Sequence, residues 1–216
     1  RKANLERANL QGASLEKANL AGARFVETNM TGVNLAGAEL TEANLEGANL
    51  QEINLAGANL WKANFAKADL TKANIEGASL KDTNLQEAVL LAAKLQGANL
   101  LGTNLWKANL EGVNLKGNNL EGANLEEANL REANLEETRL LGASLNYANL
   151  GMAKLERVIL DGVWLKEANL EGARLREASL EEANLEKANL TKANLEKAIL
   201  VETNLSGARL QEVNLE

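Results

Sequence analysis

Large apolar residues fall on every fifth position of this chain without a break. All 43 positions whose numbers are divisible by five are apolar, 39 of them Leu, with Phe25, Met30, Phe65 and Ile75 as the exceptions. Two residues before each centre stands a small wall residue, most often Ala, and between them a polar one, most often Asn. The stretch Glu121 to Leu135, EGANLEEANLREANL, writes the unit three times in succession. A period of five fits neither ordinary element. In a helix, five residues advance about 500°, so the leucines would spiral around the axis instead of forming a stripe. A coiled coil needs a repeat of about 3.5. In a flat strand, an odd period throws successive leucines onto opposite faces. The chain must therefore bend once in every unit so that all centres point to one interior.

The glycines say where it bends. Sixteen of the 17 occupy the second position after a centre, as Gly12, Gly22, Gly32 and Gly37 do, and only Gly151 departs. A type II turn needs positive φ at its third residue, and Gly meets that need without a Cβ clash. Each unit reads as a short extended piece, with wall and centre side chains on one side and Asn on the other, followed by a corner.

The run Ala3-Asn4-Leu5-Glu6-Arg7, repeated in phase along the whole chain, resembles the pentapeptide-repeat family. The resemblance implies an all-β fold, a right-handed quadrilateral parallel β-helix in which four pentapeptides make one square coil. Residues 20 apart then stack, giving about 11 coils spaced about 4.8 Å apart and a rod on the order of 50 Å long. No unit is interrupted by a loop, and no terminal cap helix is foreseen. The expected organisation is one domain over residues 1–216, excised from a longer chain, because the repeat is already in phase at Ala3. Departures from Ala at the wall are Thr28, Thr83, Thr103, Thr138, Thr203, Val33, Val113, Val158, Val163, Val213, Ile53 and Asn118. Asn118, the one wall amide, is expected to satisfy a backbone group at a corner.

Folding the chain at 20 residues defines four faces, named first to fourth by their leading centres Leu5, Leu10, Leu15 and Leu20. Their outward positions carry −2, −2, 0 and −5, and Arg1 and Lys2 bring the total to the net charge of −7. The most acidic face, the fourth, is also the one with most outward apolar residues. Trp61, Leu101 and Leu141 share one column there, two coils apart, with Val201 further along and Ile159 and Ile199 beside them. An aligned apolar set ringed by acids is a candidate protein-contact surface. Trp106 and Trp164 belong to the neighbouring face.

Candidate chemistry is sparse. Without Cys or His there is no thiolate or imidazole, the commonest metal ligands and general base. No P-loop, dinucleotide fingerprint or calcium-binding β-roll repeat occurs, and the glycines are taken up by corners. The expectation is no enzyme, no cofactor and no metal. No apolar run approaches the roughly 20 residues of a membrane helix, so membrane insertion by this segment is not expected, and a cytoplasmic location is. The acidic balance argues against direct nucleic-acid binding. The reading that remains is a rigid structural or protein-interaction scaffold, a module of a larger protein. Its regular A-N-L units resemble the cyanobacterial branch of the family, and its partner is an unnamed protein. Unpaired coil edges also favour end-to-end self-association. The family resemblance supplies one alternative, a DNA mimic acting on DNA gyrase. Charge weighs against it, because duplex DNA of this length carries on the order of 30 charges.

Overall fold

The computed structural model describes residues 3–216; Arg1 and Lys2, which enter the charge balance, lie outside them. The residue before each centre forms a parallel bridge with its equivalent 20 residues later, from Asn4 with Arg24 through to Asn194 with Asn214. Four such bridges close each 20-residue coil, and the coils stack as a repeat β-solenoid. The straight pieces are only three residues long between corners. Pairing among the described residues is therefore by isolated bridges, not by the continuous strands that a parallel β-helix implies. No described residue is helical.

Following the backbone N–H groups explains the unit. The centre donates to the next coil (Leu5 N–H to Arg24 O, 2.8 Å), and so does the second corner residue (Arg7 N–H to Val26 O, 2.9 Å). The residue before the centre donates to the previous coil (Arg24 N–H to Ala3 O, 2.9 Å), and the wall residue closes the corner (Ala8 N–H to Leu5 O, 3.0 Å). One N–H is left over, that of the first corner residue, and the Asn side chain accepts it (Glu6 N–H to Asn4 Oδ1, 3.2 Å). Stacked Asn side chains also bond each other, as Asn149 does to Asn129 and Asn169 to Asn149 at 3.2 and 3.1 Å. Asn recurs because it accepts the single donor that the coil ladder leaves unpaired.

The corners show the expected turn. The 16 corner glycines have φ near +65°, and the corner carbonyl-to-amide bond is present. The remaining corners place Glu, Lys, Arg, Asp, Ala, Tyr or Met at positive φ, 26 residues between Arg7 and Glu212. The repeating ladder imposes the left-handed conformation, which costs an L-residue roughly 1–2 kcal/mol. Glycine marks the corner in sequence without being required there.

The centres and wall residues form one continuous core; from Phe25 to Leu195 every centre is fully or almost fully buried. Wall threonines donate their hydroxyls to carbonyls of the preceding coil, as Thr83 does to Leu60 O at 2.7 Å and Thr138 to Leu115 O at 3.0 Å. Asn118 behaves likewise, its Nδ2 bonding Leu95 O at 2.7 Å and Ala98 O at 2.8 Å, with its Oδ1 buried and unpaired.

The ladder breaks in two seams. The amides of Asn114, Asn119, Ile159 and Trp164 make no bond to the previous coil, whereas every other counterpart from Arg24 to Asn214 does. Each of the four follows an enlarged wall residue: Val113, Asn118, Val158 and Val163. These come as two pairs in consecutive units. A single large wall residue, such as Ile53, is absorbed, and Asn54 still reaches Val33 O at 2.9 Å. Two in succession lift the corner between them. Thr28 and Val33 are also consecutive but lie beneath the first coil, which has no coil above it to resist the shift. On the fourth face Asn118, Thr138 and Val158 stack directly over one another, so both seams cross that face.

Candidate interaction face

The fourth face is built from outward positions just before and just after its centres. Trp61 lies against the rod: its Nε1 donates to Asp82 Oδ2 at 3.2 Å, and Lys62 Nζ sits 4.5 Å from the ring centroid. Trp61 is 36% exposed, and Leu101 is half-buried. Lys81 separates these two in their column. Glu121 separates Leu101 from Leu141, and Arg139 Nη2 pairs with that carboxylate at 2.5 Å. Trp61, Leu101 and Leu141 therefore share a column without forming a continuous apolar strip.

The other four residues behave differently. Leu141 is 62% exposed, Ile159 56%, Ile199 46% and Val201 58%. Leu141 and Ile159 are diagonal neighbours of the kind that bond elsewhere, since Ser144 reaches Glu126 across the same 18-residue offset. Ile199 and Val201 flank one centre. Ile159 thus lies two coils from Ile199, and Leu141 three coils from Val201, on one face. Ile159 and Ile199 occupy the position where Asn normally accepts the spare amide, so neither serves that structural task.

Between and beside the pairs lie Asp161, Glu181, Glu182 and Glu202. Elsewhere the rod sets opposite charges one coil apart: Arg7–Glu27, Lys72–Glu52, Lys107–Glu127, Lys116–Glu136, Arg131–Glu111, Arg157–Glu137, Lys166–Glu186 and Arg176–Glu196 are ion pairs of 2.8 to 3.4 Å. On the fourth face Asp161 stacks under Glu181, and Glu182 under Glu202. Among the described residues none of the four makes an ion pair. Asp161 is tied locally, accepting from Ser179 Oγ at 2.5 Å and from Glu181 N–H at 3.1 Å. Arg157 and Lys197 at the adjoining corner are engaged by Glu137 and Glu196.

The titrating groups with clear shifts lie away from these four acids, although Glu39 is on the N-terminal part of the same face. The hydrogen bond and charge of Lys116 hold Glu136 below the usual carboxylate range and raise Lys116. Hydrogen bonds from Thr41 and then Asn59 lower Glu39. For Asp69, burial pushes upward but bonds from Gln51 and Thr71 outweigh it. All are small ladder interactions on a solvated surface. No group of carboxylates capable of holding a metal ion is found among the described residues, and no helix there is long and apolar enough to cross a membrane.

Sequence reasoning missed exposed Tyr147 and Met152, which sit at positive-φ corners with φ of 61° and 59°. Their signal was available, since corner positions otherwise hold Gly, Ala or charged residues. Trp164, 54% exposed, lies around the corner from Ile159 on the first face. The stacked like charges were also missed, although folding at 20 residues makes them readable.

Comparison with known proteins agrees with this architecture. The family described as pentapeptide repeats matches in eight copies, over residues 1–37, 48–87, 93–131, 123–162, 164–200 and 188–216. HetL, a pentapeptide repeat protein involved in heterocyst differentiation regulation from the cyanobacterium Nostoc sp. strain PCC 7120, is 35% identical with a TM-score of 0.70; the match covers 98% of this chain and 90% of HetL. Rfr23, a pentapeptide repeat protein from the cyanobacterium Cyanothece 51142, is 33% identical with a TM-score of 0.51, over 52% of this chain and 91% of Rfr23. No curated protein shows significant similarity to the chain. From the five-residue period, the 20-residue bridging and these matches, the chain belongs to the pentapeptide-repeat family.

Proposed function

We propose that this chain is a non-catalytic protein-interaction scaffold: a right-handed quadrilateral rod of about 11 coils, one domain over residues 1–216, acting in the cytoplasm as a module of a larger protein. The observation that carries the reading is the fourth face. Exposed Leu141, Ile159, Ile199 and Val201 are held there in fixed register on a rigid stack, and two of them take the place of a structurally useful Asn. Trp61 and Leu101 extend the same face toward the N-terminal coils. The likeness to HetL over nearly the full length adds support for a regulatory scaffold of cyanobacterial type. A photo-crosslinking residue at Leu141 or Ile199 is expected to join the rod to one partner protein in cells, while the same residue at exposed Glu76 on the third face is not. Equal labelling from both faces would refute the reading.

End-to-end association is a second proposal. Leu210 and Leu215 are 45% and 60% exposed at one end of the stack, and Leu5 to Leu20 are half-buried at the other. Light scattering across a concentration series tests it, and a strict monomer would refute it. The gyrase-mimic alternative draws no support from the surface, where acids are largely interleaved with cations. Inhibition of gyrase supercoiling by the purified chain would reverse that ranking.

A further inference from the structure

We propose that the fourth face between Leu141 and Glu202 docks a basic amphipathic helix of the partner protein, lying along the rod axis. The proposal rests on the scaffold reading and specifies its partner.

Three observations carry it. The first is spacing. Ile159 and Ile199, the latter paired with Val201, are two coils apart, about 10 Å at the spacing of parallel strands, and Leu141 lies one coil before Ile159. Residues i and i+7 of a helix are about 10.5 Å apart along its axis, with i+3 and i+4 midway. Apolar side chains at i and i+7 can rest on Ile159 and on Ile199/Val201 while i+3 and i+4 face the coil between, and a further apolar residue at i−3 or i−4 can reach Leu141. An extended segment repeats a face every ~6.6 Å and does not match.

The second observation is charge. The intervening coil presents Glu181 and Glu182, stacked on Asp161 of the coil before and on Glu202 of the coil after, with no Lys or Arg on this face from Ile159 to Glu202. Directly stacked like charges repel, and neither stack here has a Lys or Arg one coil away, whereas the stacked Glu136 and Glu156 on the third face lie next to Lys116 and Arg176 in their column. Lys or Arg at i+3 and i+4 of a docked helix would supply the missing countercharge, and its attraction would be screened by salt.

The third observation is structural cost. Ile159 and Ile199 stand where Asn accepts the first corner amide in other units, and each leaves that donor, Asp161 N–H or Val201 N–H, without the usual side-chain acceptor. A residue that serves the fold less well than the repeat's own choice, and sits exposed beside three others like it, points to binding. The lifted seam beneath Ile159 lies on the same face.

The test uses the full chain and two labelled synthetic helical peptides. Both carry Leu at i and i+7; one has Lys at i+3 and i+4, the other Glu. Fluorescence anisotropy at low salt is expected to show saturable binding of the Lys peptide alone, weakening as salt rises. Ile159→Asn with Ile199→Asn should weaken binding about tenfold while the thermal midpoint stays level or rises, since Asn rebuilds the amide acceptor. Glu181→Lys with Glu182→Lys should weaken it at least as much and flatten the salt dependence, whereas Glu76→Lys on the third face should change it little. Equal binding of the two peptides, or indifference to both fourth-face variants, overturns the proposal. Absence of Lys-peptide binding with crosslinking at Leu141 retained overturns the basic helix and leaves the scaffold standing. Loss of that crosslinking as well overturns both.

Discussion

The second and fourth faces obey the same five-residue rule and have different fates. On the second face the wall is Ala in every coil but one, where Thr28 ties its hydroxyl to Leu5 O at 2.8 Å. Each amide before a centre there, from Asn29 to Arg209, bonds the coil above. On the fourth face Asn118, Thr138 and Val158 stack in the wall, and the amides of Asn119 and Ile159 lose their bonds. Outside, the second face keeps an Asn column from Asn109 through Asn189, linked at 3.0 to 3.2 Å. The fourth face gives up Asn for Ile159 and Ile199. The difference teaches that enlarged wall residues in consecutive units loosen the ladder locally, whereas a surface departure such as Ile199 leaves its bond to Ala178 O intact, and that both seams cross the face proposed for contact.

The largest effect expected is on the regular side. Leu130→Ala, a fully buried second-face centre, should cost roughly 2–5 kcal/mol in denaturant unfolding. Asn118→Ala on the fourth face should stay within about 1 kcal/mol of the parent, because two hydrogen bonds lost are offset by removing the unpaired Oδ1 and freeing Ala98 O for Asn119 N–H. A cost for Asn118→Ala as large as for Leu130→Ala would erase the contrast.

Smaller effects sharpen it. Ile159→Asn, measured alone, should stabilise the chain by about 0.5–1.5 kcal/mol through a new acceptor for Asp161 N–H. The corners give a reference common to all faces. A Cβ at Gly57 would meet open space, with φ at +64°, so Gly57→Ala reads backbone strain alone, about 1 kcal/mol. The smallest effect is with pH. Glu39, Asp69 and Glu136 are all lowered in the folded state. The stability they contribute is complete above their ordinary values near 4. It is lost as pH falls through the lowered folded values. The thermal midpoint should therefore be level above about pH 5 and fall in acid, and Glu136→Gln should reduce that fall.

Much of this was legible in the sequence. The odd period of five excludes helix and flat strand, the glycine positions locate the corners, and the family resemblance supplies the four-unit coil that the spacing argument alone leaves open. The expected column of Trp61, Leu101 and Leu141 stands in register, but the intervening Lys81 and Glu121 fill the gaps, so adjacency could be judged only with side chains placed. The Asn role was hidden because it depends on which amide the ladder leaves over. The seams were hidden because Val33 and Ile53 look like Val113 and Val158 in sequence, and only the neighbouring coils decide whether a large wall residue is absorbed.

Amide hydrogen exchange resolved to single residues tests the central claim most directly. The account predicts that Asn114, Asn119, Ile159 and Trp164 exchange fastest among the amides that precede a centre in the interior coils, while Asn129, Asn149 and Asn169 on the second face are protected to nearly the global stability of the rod. Uniform protection across these seven positions would contradict it.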